Sequence, residues 1–192
     1  MRKITTLGVA LATLMLGGCG PATDAPTTAT SPADAAGSTP AAAATAQSSV
    51  HDADTLARID DYERRAKALA ATLGSGVAGD DERSEAVALI DLAAEINPSF
   101  VRRHPQCGAY LDAALQVRER WSSMDVEAIE RDYHDDAALP AEGIGPACYH
   151  MKDLIVHPAS VAALLAQPEP DLVHAKREID EVIAHVAVVR GG

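Results

Sequence analysis

Aromatic side chains are scarce in this chain, whose 192 residues include one phenylalanine, one tryptophan and four tyrosines. Proteins that hold single-stranded nucleic acids stack successive bases on several aromatic rings. The composition therefore argues against a broad stacking surface for bases or sugars. Alternation of apolar and polar residues is also missing over any useful length, which argues against a sheet.

Recognisable catalytic motifs are missing as well. The sequence contains no Gly-x-Ser-x-Gly, no His-Glu-x-x-His, no phosphate-binding glycine loop and no Cys-x-x-Cys-His. The stretch Gly74-Ser75-Gly76 follows a predicted helix and not a strand, so we interpret it as a flexible connection. We therefore expect a protein that is not an enzyme, and no cofactor is predicted.

Basic residues are outnumbered by acidic ones, 16 to 28, which gives a formal net charge of -12 at pH 7. A negative surface repels nucleic acid and anionic lipid headgroups, so nucleic acid is not an expected partner. The charge favours solubility, and it also suits a basic partner or a cation.

The longest apolar run lies at the N-terminus, from Ile4 to Leu16, directly after Arg2 and Lys3. The run is shorter than the roughly 20 apolar residues of a membrane-spanning helix and has the proportions of a signal peptide. It ends in Leu16-Gly17-Gly18-Cys19, which resembles the lipobox of bacterial lipoproteins. The resemblance implies that residues 1–18 are a signal peptide and that Cys19 becomes the first mature residue and carries lipid, including palmitate.

By the same resemblance, Gly20 differs from the aspartate that is usually linked to retention in the inner membrane. We therefore expect a protein anchored in the outer membrane through lipid on Cys19 and facing the periplasm. The inner membrane and the cell surface are the alternatives, and so is a secreted protein whose cleavage site happens to contain cysteine.

The stretch after Cys19 is low in complexity. From Gly20 to Ser49, 25 of 30 residues are Ala, Thr, Pro or Ser, and none is Leu, Ile, Val or aromatic. Such a segment buries too little apolar surface to offset the entropy of ordering. Residues 19–50 are therefore predicted to form a disordered tether.

Residues 51–192 show helical periodicity and have the size of one domain. They predict an all-α fold, an up-and-down bundle of four main helices plus short helical pieces. A cap at Asp54 or Thr55 is expected for the first helix, and a stop at Pro98 for the second. The later helices are expected over 105–121, from Asp125, from Pro146 with a break or kink at Pro158, and from Asp171.

Cys107 and Cys148 both stand in a Pro-x-Cys pattern, in the first turn of a predicted helix. Alternating helix directions would bring both turns to the same end of the bundle. In an oxidising periplasm this predicts a disulfide. A redox-active pair and unpaired cysteines are the alternatives.

A metal site is a further alternative for these cysteines. His104, Cys107, Cys148 and His150 offer nitrogen and sulfur ligands for zinc or copper, and His157 lies one or two turns beyond Cys148. The usual paired Cys-x-x-Cys spacing is absent, which favours the disulfide.

Other histidines invite weaker hypotheses. His174, Glu178, Glu181 and His185 share one face of the last helix, opposite its apolar stripe, so we interpret that face as solvated. A cation site there, or at His134-Asp135-Asp136, is the alternative. The segment Cys148–Ala159 is the densest in unusual residues, and a site is sought there first, together with His104 and Cys107.

Two functions follow as hypotheses. The first is a lipid-anchored, non-enzymatic periplasmic domain that binds an envelope protein. The second is a protein that binds a metal or cofactor through the cysteine and histidine candidates. The sequence does not specify a reaction.

Overall fold

The computed structural model describes residues 51–191. The predictions for the signal peptide (1–18), for lipid on Cys19 and for the tether (19–50) lie outside the described residues. Within the described range every regular element is helical and there is no strand, so the predicted all-α class is confirmed. None of these helices is long and apolar enough to cross a membrane.

Four long helices form the bundle, and short helical pieces lie between the second and third of them. The α-helices are α1 (Ala53–Gly74), α2 (Asp80–Arg103), α3 (Gly108–Ala114), α4 (Val117–Arg120), α5 (Val126–Ile129), α6 (Pro146–Leu165) and α7 (Leu172–Gly191). Tight 3-10 turns span Pro105–Cys107 and Trp121–Ser123, and a π-helical turn spans Glu130–His134.

The long helices run up and down. α1 packs against α2 and α7, and α6 packs against the same two helices. His51, just before α1, contacts the Val189 carbonyl near the end of α7 at 2.8 Å. Gly74, at the other end of α1, lies beside Lys176 near the start of α7. The predicted bundle topology is therefore confirmed.

Aspartates cap several helices. The carboxylates of Asp52, Asp125 and Asp171 accept hydrogen bonds from backbone N–H groups three residues later, at 2.7 to 2.9 Å. These bonds satisfy donors that a helix start leaves free. Asp125 and Asp171 were expected as caps, whereas the cap of α1 is Asp52 and not Asp54 or Thr55.

The predicted single helix over 105–121 is wrong in detail. The segment is divided into a 3-10 turn, α3, α4 and a second 3-10 turn. α3, α4 and the Trp121–Ser123 turn all pack on α6. The chain therefore follows the side of α6 in short pieces.

The stop predicted at Pro98 and a break at Pro158 are wrong, because both helices continue; the alternative of a kink at Pro158 stays a prediction. α2 runs on to Arg103, and α6 runs on to Leu165. Pro98 is exposed. On that side of α2, water can donate a hydrogen bond to the carbonyl that the proline leaves without a backbone donor. Pro158 is buried, so water cannot supply the missing donor there, and the solution must come from the protein itself.

Tyr62 supplies that solution. In a regular helix the Leu154 carbonyl would accept the N–H of residue 158, which proline lacks. The Tyr62 hydroxyl, from α1, donates to the Leu154 carbonyl at 2.7 Å. Tyr62 is fully buried, and burial raises the pKa of its hydroxyl well above the ordinary value. The side chain is therefore a neutral donor that replaces the missing backbone bond.

α6 is the central helix of the fold. Every residue from 151 to 165 is buried. α2 and α7 cover two sides, and the pieces between residues 105 and 134 cover a further side. Any polar side chain on this stretch must therefore find its partners inside the protein.

The predicted Cys107–Cys148 disulfide is confirmed, with a Cα–Cα distance of 5.4 Å. It joins the turn after α2 to the first turn of α6. Both cysteines are fully buried. The bond thus fixes the segment that covers α6 to the start of α6 itself.

Tyr62 is expected to stabilise the bundle because of Pro158. Tyr62→Phe removes the donor of the Leu154 carbonyl and should lower the free energy of unfolding by about 1–3 kcal/mol. In a Pro158→Ala background the restored N–H serves that carbonyl, so the same change should have a much smaller effect. Urea unfolding of the wild type, of Tyr62→Phe, of Pro158→Ala and of the double variant measures the difference. An equal loss in both backgrounds would contradict the assigned role.

Loss of the disulfide is expected to lower the free energy of unfolding by about 4 kcal/mol, the chain-entropy value for a loop of roughly 42 residues. Urea unfolding of the Cys107→Ser/Cys148→Ser variant against the oxidised wild type measures it. The wild type in excess reductant is the matched control and should unfold at the same midpoint as the variant. A midpoint that reduction does not move would exclude this contribution.

Candidate metal centre

α6 carries four polar side chains on its buried stretch: Lys152, Asp153, His157 and Ser160. Burying a charge is unfavourable unless it is paired and hydrogen-bonded. Their partners come from α7 and from residues 130–136. The Ser160 hydroxyl, for example, donates to Glu130 Oε1 at 2.6 Å. A polar cluster therefore lies inside the bundle.

His157 is at the middle of this cluster and is 1% exposed. Its Nδ1 lies 2.7 Å from Oε2 of Glu178, on α7, which is 3% exposed. His157 Nε2 is buried and has no hydrogen-bond partner within residues 51–191; Glu181 Oε2 lies 3.9 Å away. Glu178 also contacts His174 and Arg177, at 3.2 and 3.3 Å.

The His157–Glu178 contact opposes the effect of burial on both groups. Burial disfavours the imidazolium of His157, but its hydrogen bond to Glu178 and the charges of Asp153, Glu178 and Glu181 outweigh the effect of burial and raise the pKa of His157. Burial likewise disfavours the Glu178 carboxylate, yet the bond and charge of His157, with Arg177 and His174, lower the pKa of Glu178. In the absence of a metal the pair is therefore ionic over part of the pH range.

Asp153 lies one helical turn before His157. Its Oδ2 is 3.4 Å from His185 Nε2, on α7. Its Oδ1 is buried without a hydrogen bond in the described part of the chain, and the Lys152 ammonium is 3.4 Å from it. The carboxylate therefore keeps unused acceptor capacity in the interior.

His150 and His185 face each other, with their Nδ1 atoms 2.7 Å apart. One ring must donate and the other must accept, so at least one of them is neutral. Burial lowers the pKa of His185, and the neighbouring His157 and His150 add to this, although Asp153 and Glu181 act against it. A neutral imidazole is the form that binds metals.

His134 reaches the cluster from the π-helical turn, with its ring 5.0 Å from that of His157. Lys152 holds the backbone there: its ammonium donates to the His134 carbonyl at 2.6 Å and to Asp136 Oδ1 at 3.2 Å. Asp136 has φ 63°, the left-handed region, and accepts a 2.7 Å bond from Tyr110. Lys152 and Tyr110 thus fix the turn that presents His134.

Three groups of side chains can each supply ligand atoms within 4.8 Å of one another. Their members are His134, Asp153 and His157; His150, Asp153 and His185; and His157, Glu178 and Glu181. Imidazole nitrogen with carboxylate oxygen is a donor set for zinc and related divalent transition metals. The geometry can therefore hold a metal ion.

A cavity of about 420 Å³ opens from solvent beside this cluster. Glu130 and His174 are among its lining residues. Glu130 Oε2 is 3.6 Å from His134 Nδ1, and His174 Nε2 is 3.2 Å from Glu178 Oε1. The cavity therefore borders residues that contact the cluster, and none of the candidate ligands is among its lining residues.

The structure separates the candidates that the sequence grouped together. His150 and His157 belong to the cluster. Cys107 and Cys148 are bonded to each other, so their sulfur atoms are not ligands here. His104 packs against Phe100, with ring centroids 4.4 Å apart. The predicted set of cysteine and histidine ligands is therefore not assembled.

The face of α7 with His174, Glu178, Glu181 and His185 is not simply solvated, which corrects the sequence-based interpretation. Glu178 is buried, and His174 and His185 are half-buried. α7 packs against both α1 and α6, and side chains of this polar face contact His150 and His157 of α6. The helical spacing was visible in the sequence, but the second neighbour was not.

Asp153, Lys152 and Glu130 were missed as site residues. Asp153 stands three residues after His150 and four before His157, which places all three on one helix face. That spacing was the available signal.

Comparison of the chain with models of protein families, with curated proteins and with solved structures gives no match.

Glu178 is expected to stabilise the metal-free protein mainly at acidic to neutral pH. Because the pKa of His157 is raised above 6.5, the stabilisation is fully present below that value and is lost as pH rises through the folded-state pKa. Because the pKa of Glu178 is lowered from 4.5, the pair is also lost as pH falls from about that value. Glu178→Gln should therefore lower the free energy of unfolding by about 3–5 kcal/mol at pH 5.5, and by much less at pH 9.

Urea unfolding in a chelator, at matched pH values, tests this prediction. Comparing variant and wild type at each pH removes most of the opposite trend of His185, whose pKa is lowered. Glu181→Gln is the control, because that carboxylate is 46% exposed and 3.9 Å from His157, and its effect should be small. A loss for Glu178→Gln that is independent of pH would show that the ionic pair does not act as described.

Proposed function

We propose that this protein binds a divalent transition-metal ion inside its helical bundle, through His157, Asp153 and His134. One observation carries the proposal: His157 is buried, is oriented by Glu178 through Nδ1, and keeps Nε2 without a hydrogen bond in residues 51–191. An unpaired buried nitrogen is unfavourable, and a metal ion satisfies it.

The contact to Glu178 supports the same assignment. Histidines that bind metals commonly donate their other ring N–H to a carboxylate, which fixes the tautomer and the ring orientation. A neutral His157 with its proton on Nδ1 donates to Glu178 and leaves the lone pair of Nε2 available to a metal ion. Asp153 and His134 then supply a carboxylate oxygen and a second imidazole within reach.

Protons and metal compete for His157. The carboxylates around it favour the imidazolium, and because a metal binds the neutral ring, binding displaces the proton from a protonated His157. Affinity is therefore expected to fall as pH drops. Without metal, His157 and Glu178 form an ion pair on the acidic side of neutral pH; with metal at higher pH, Nε2 gains the partner that it lacks.

A protein partner is not identified by the exposed apolar side chains of residues 51–191. The large ones are Val77, Val173 and Val188, in the α1–α2 connection and toward the two ends of α7. An envelope partner and a non-enzymatic role stay sequence-based predictions.

The cellular setting is proposed from the sequence alone. Leu16-Gly17-Gly18-Cys19 supports a lipid anchor on Cys19 and a domain that faces the periplasm from the outer membrane. A negatively charged protein in that compartment suits a cation as ligand. Zinc or copper is the expected ion, now held by histidine and carboxylate and not by the cysteines.

Titration with Zn²⁺ tests the proposal. Chelator-treated protein at pH 7.5 should bind Zn²⁺ in calorimetry, with release of protons. Glu178→Gln should weaken binding by about 10–100-fold, the usual effect of removing the partner of a ligating histidine. His157→Ala should weaken it further.

His104→Gln is the matched control, since His104 packs on Phe100 outside the cluster and its loss should leave affinity unchanged. Circular dichroism of each variant verifies that the helices are intact. Absence of Zn²⁺ and Cu²⁺ binding by the wild type, or equal weakening in the control, would overturn the proposal.

A further inference from the structure

We infer that the cluster holds two metal ions, with the Asp153 carboxylate between them. This inference rests on the proposed function and adds a second ion, bound by His150 and His185. It is carried by the arrangement of two separate groups of histidines around one carboxylate.

The spacing on α6 creates the two groups. His150 precedes Asp153 by three residues, and His157 follows it by four. Positions three and four apart lie above one another on the same helix face. One imidazole therefore stands a turn before the carboxylate and the other a turn after it.

Each of these imidazoles meets a second one from another element. His157 meets His134 of the π-helical turn, and His150 meets His185 of α7. The two groups, His134–Asp153–His157 and His150–Asp153–His185, share Asp153 and no other residue. Each group alone offers two nitrogens and one oxygen, a sufficient set for one divalent ion with further positions left open.

Each oxygen of the Asp153 carboxylate faces a different part of the cluster. Oδ2 lies 3.4 Å from His185 Nε2. The buried Oδ1 accepts no hydrogen bond from the described residues and has the Lys152 ammonium 3.4 Å away, so a metal ion at Oδ1 would take the place of that ion pair. The His157 and His185 rings are stacked with centroids 5.6 Å apart, so the two groups are direct neighbours. Two-metal centres in proteins place their ions about 3.5–4 Å apart, which adjacent groups sharing one carboxylate can provide.

The charges around the cluster are mainly carboxylates, with Lys152 beside Asp153 and Arg177 beside Glu178 as the neighbouring cations. Besides Asp153, the carboxylates of Glu130, Glu178 and Glu181 contact its histidines. The third group, His157 with Glu178 and Glu181, uses His157 again. Its two carboxylates orient His157 and balance the charge of the first ion. The second ion would replace the His150–His185 hydrogen bond by coordination of both rings.

The number of bound ions tests the inference. The purified full chain is equilibrated with Zn²⁺ at pH 7.5, dialysed against buffer of the same free Zn²⁺, and analysed by atomic emission. We expect two ions per chain for the wild type and for the His104→Gln control. The His150→Gln/His185→Gln variant should retain one ion, and Asp153→Asn should bind fewer ions than the wild type and bind them more weakly.

The outcomes separate the second ion from the proposed function. One ion in the wild type, lost with His157→Ala, would overturn the second ion and leave the first. Two ions that persist in His150→Gln/His185→Gln would also overturn it, because the second ion would lie elsewhere. No bound ion would overturn both proposals.

A measurement without variants guards against misfolded proteins. The wild type loaded with two equivalents of Cu²⁺ should show a spin-coupled spectrum in electron paramagnetic resonance, including a half-field signal. After one equivalent the signal should be that of isolated Cu²⁺. Two isolated Cu²⁺ signals at full loading would place the ions too far apart for a shared carboxylate and would overturn the inference.

Discussion

The complete burial of residues 151–165 of α6 is the constraint on which the rest of the structure depends. A helix in the middle of a bundle has no water to hydrogen-bond its polar groups, so each group needs a partner inside the protein. Tyr62 serves the carbonyl that Pro158 leaves free. Glu178 serves His157, and Glu130 serves Ser160. Two polar atoms on α6 have no hydrogen-bond partner in residues 51–191: Asp153 Oδ1 and His157 Nε2. They are the α6 atoms on which the candidate site is built.

The chain between α2 and α6 makes that burial possible. Its short helical pieces cover the side of α6 that a four-helix bundle would leave open. The Cys107–Cys148 bond ties one end of this cover to α6, and Lys152 ties the turn with His134 and Asp136 to it. The cover thus has two roles, since it closes the core and it brings His134 to His157.

Much of the fold could be predicted because it depends on local chemistry. The apolar spacing indicated the long helices, and aspartates at their starts indicated several of the caps. The two Pro-x-Cys turns indicated the disulfide. The effect of the prolines was predicted less well. The sequence around Pro158 indicates that a helix can end there, and it does not show that a distant hydroxyl replaces the missing hydrogen bond. No local pattern shows that Tyr62 lies at that point.

The candidate site could be predicted only in part, for the same reason. The sequence by itself determined which residue types are available and which share a helix face: His150 and His157 on one helix, Glu178 and His185 on another. Only the tertiary structure decided that these two faces meet, that α6 is buried on all sides, and that Cys107 and Cys148 bind each other and not a metal. Spacing along a helix defines a face, but the neighbour of that face is set by the packing of the whole chain, which places segments far apart in sequence against each other.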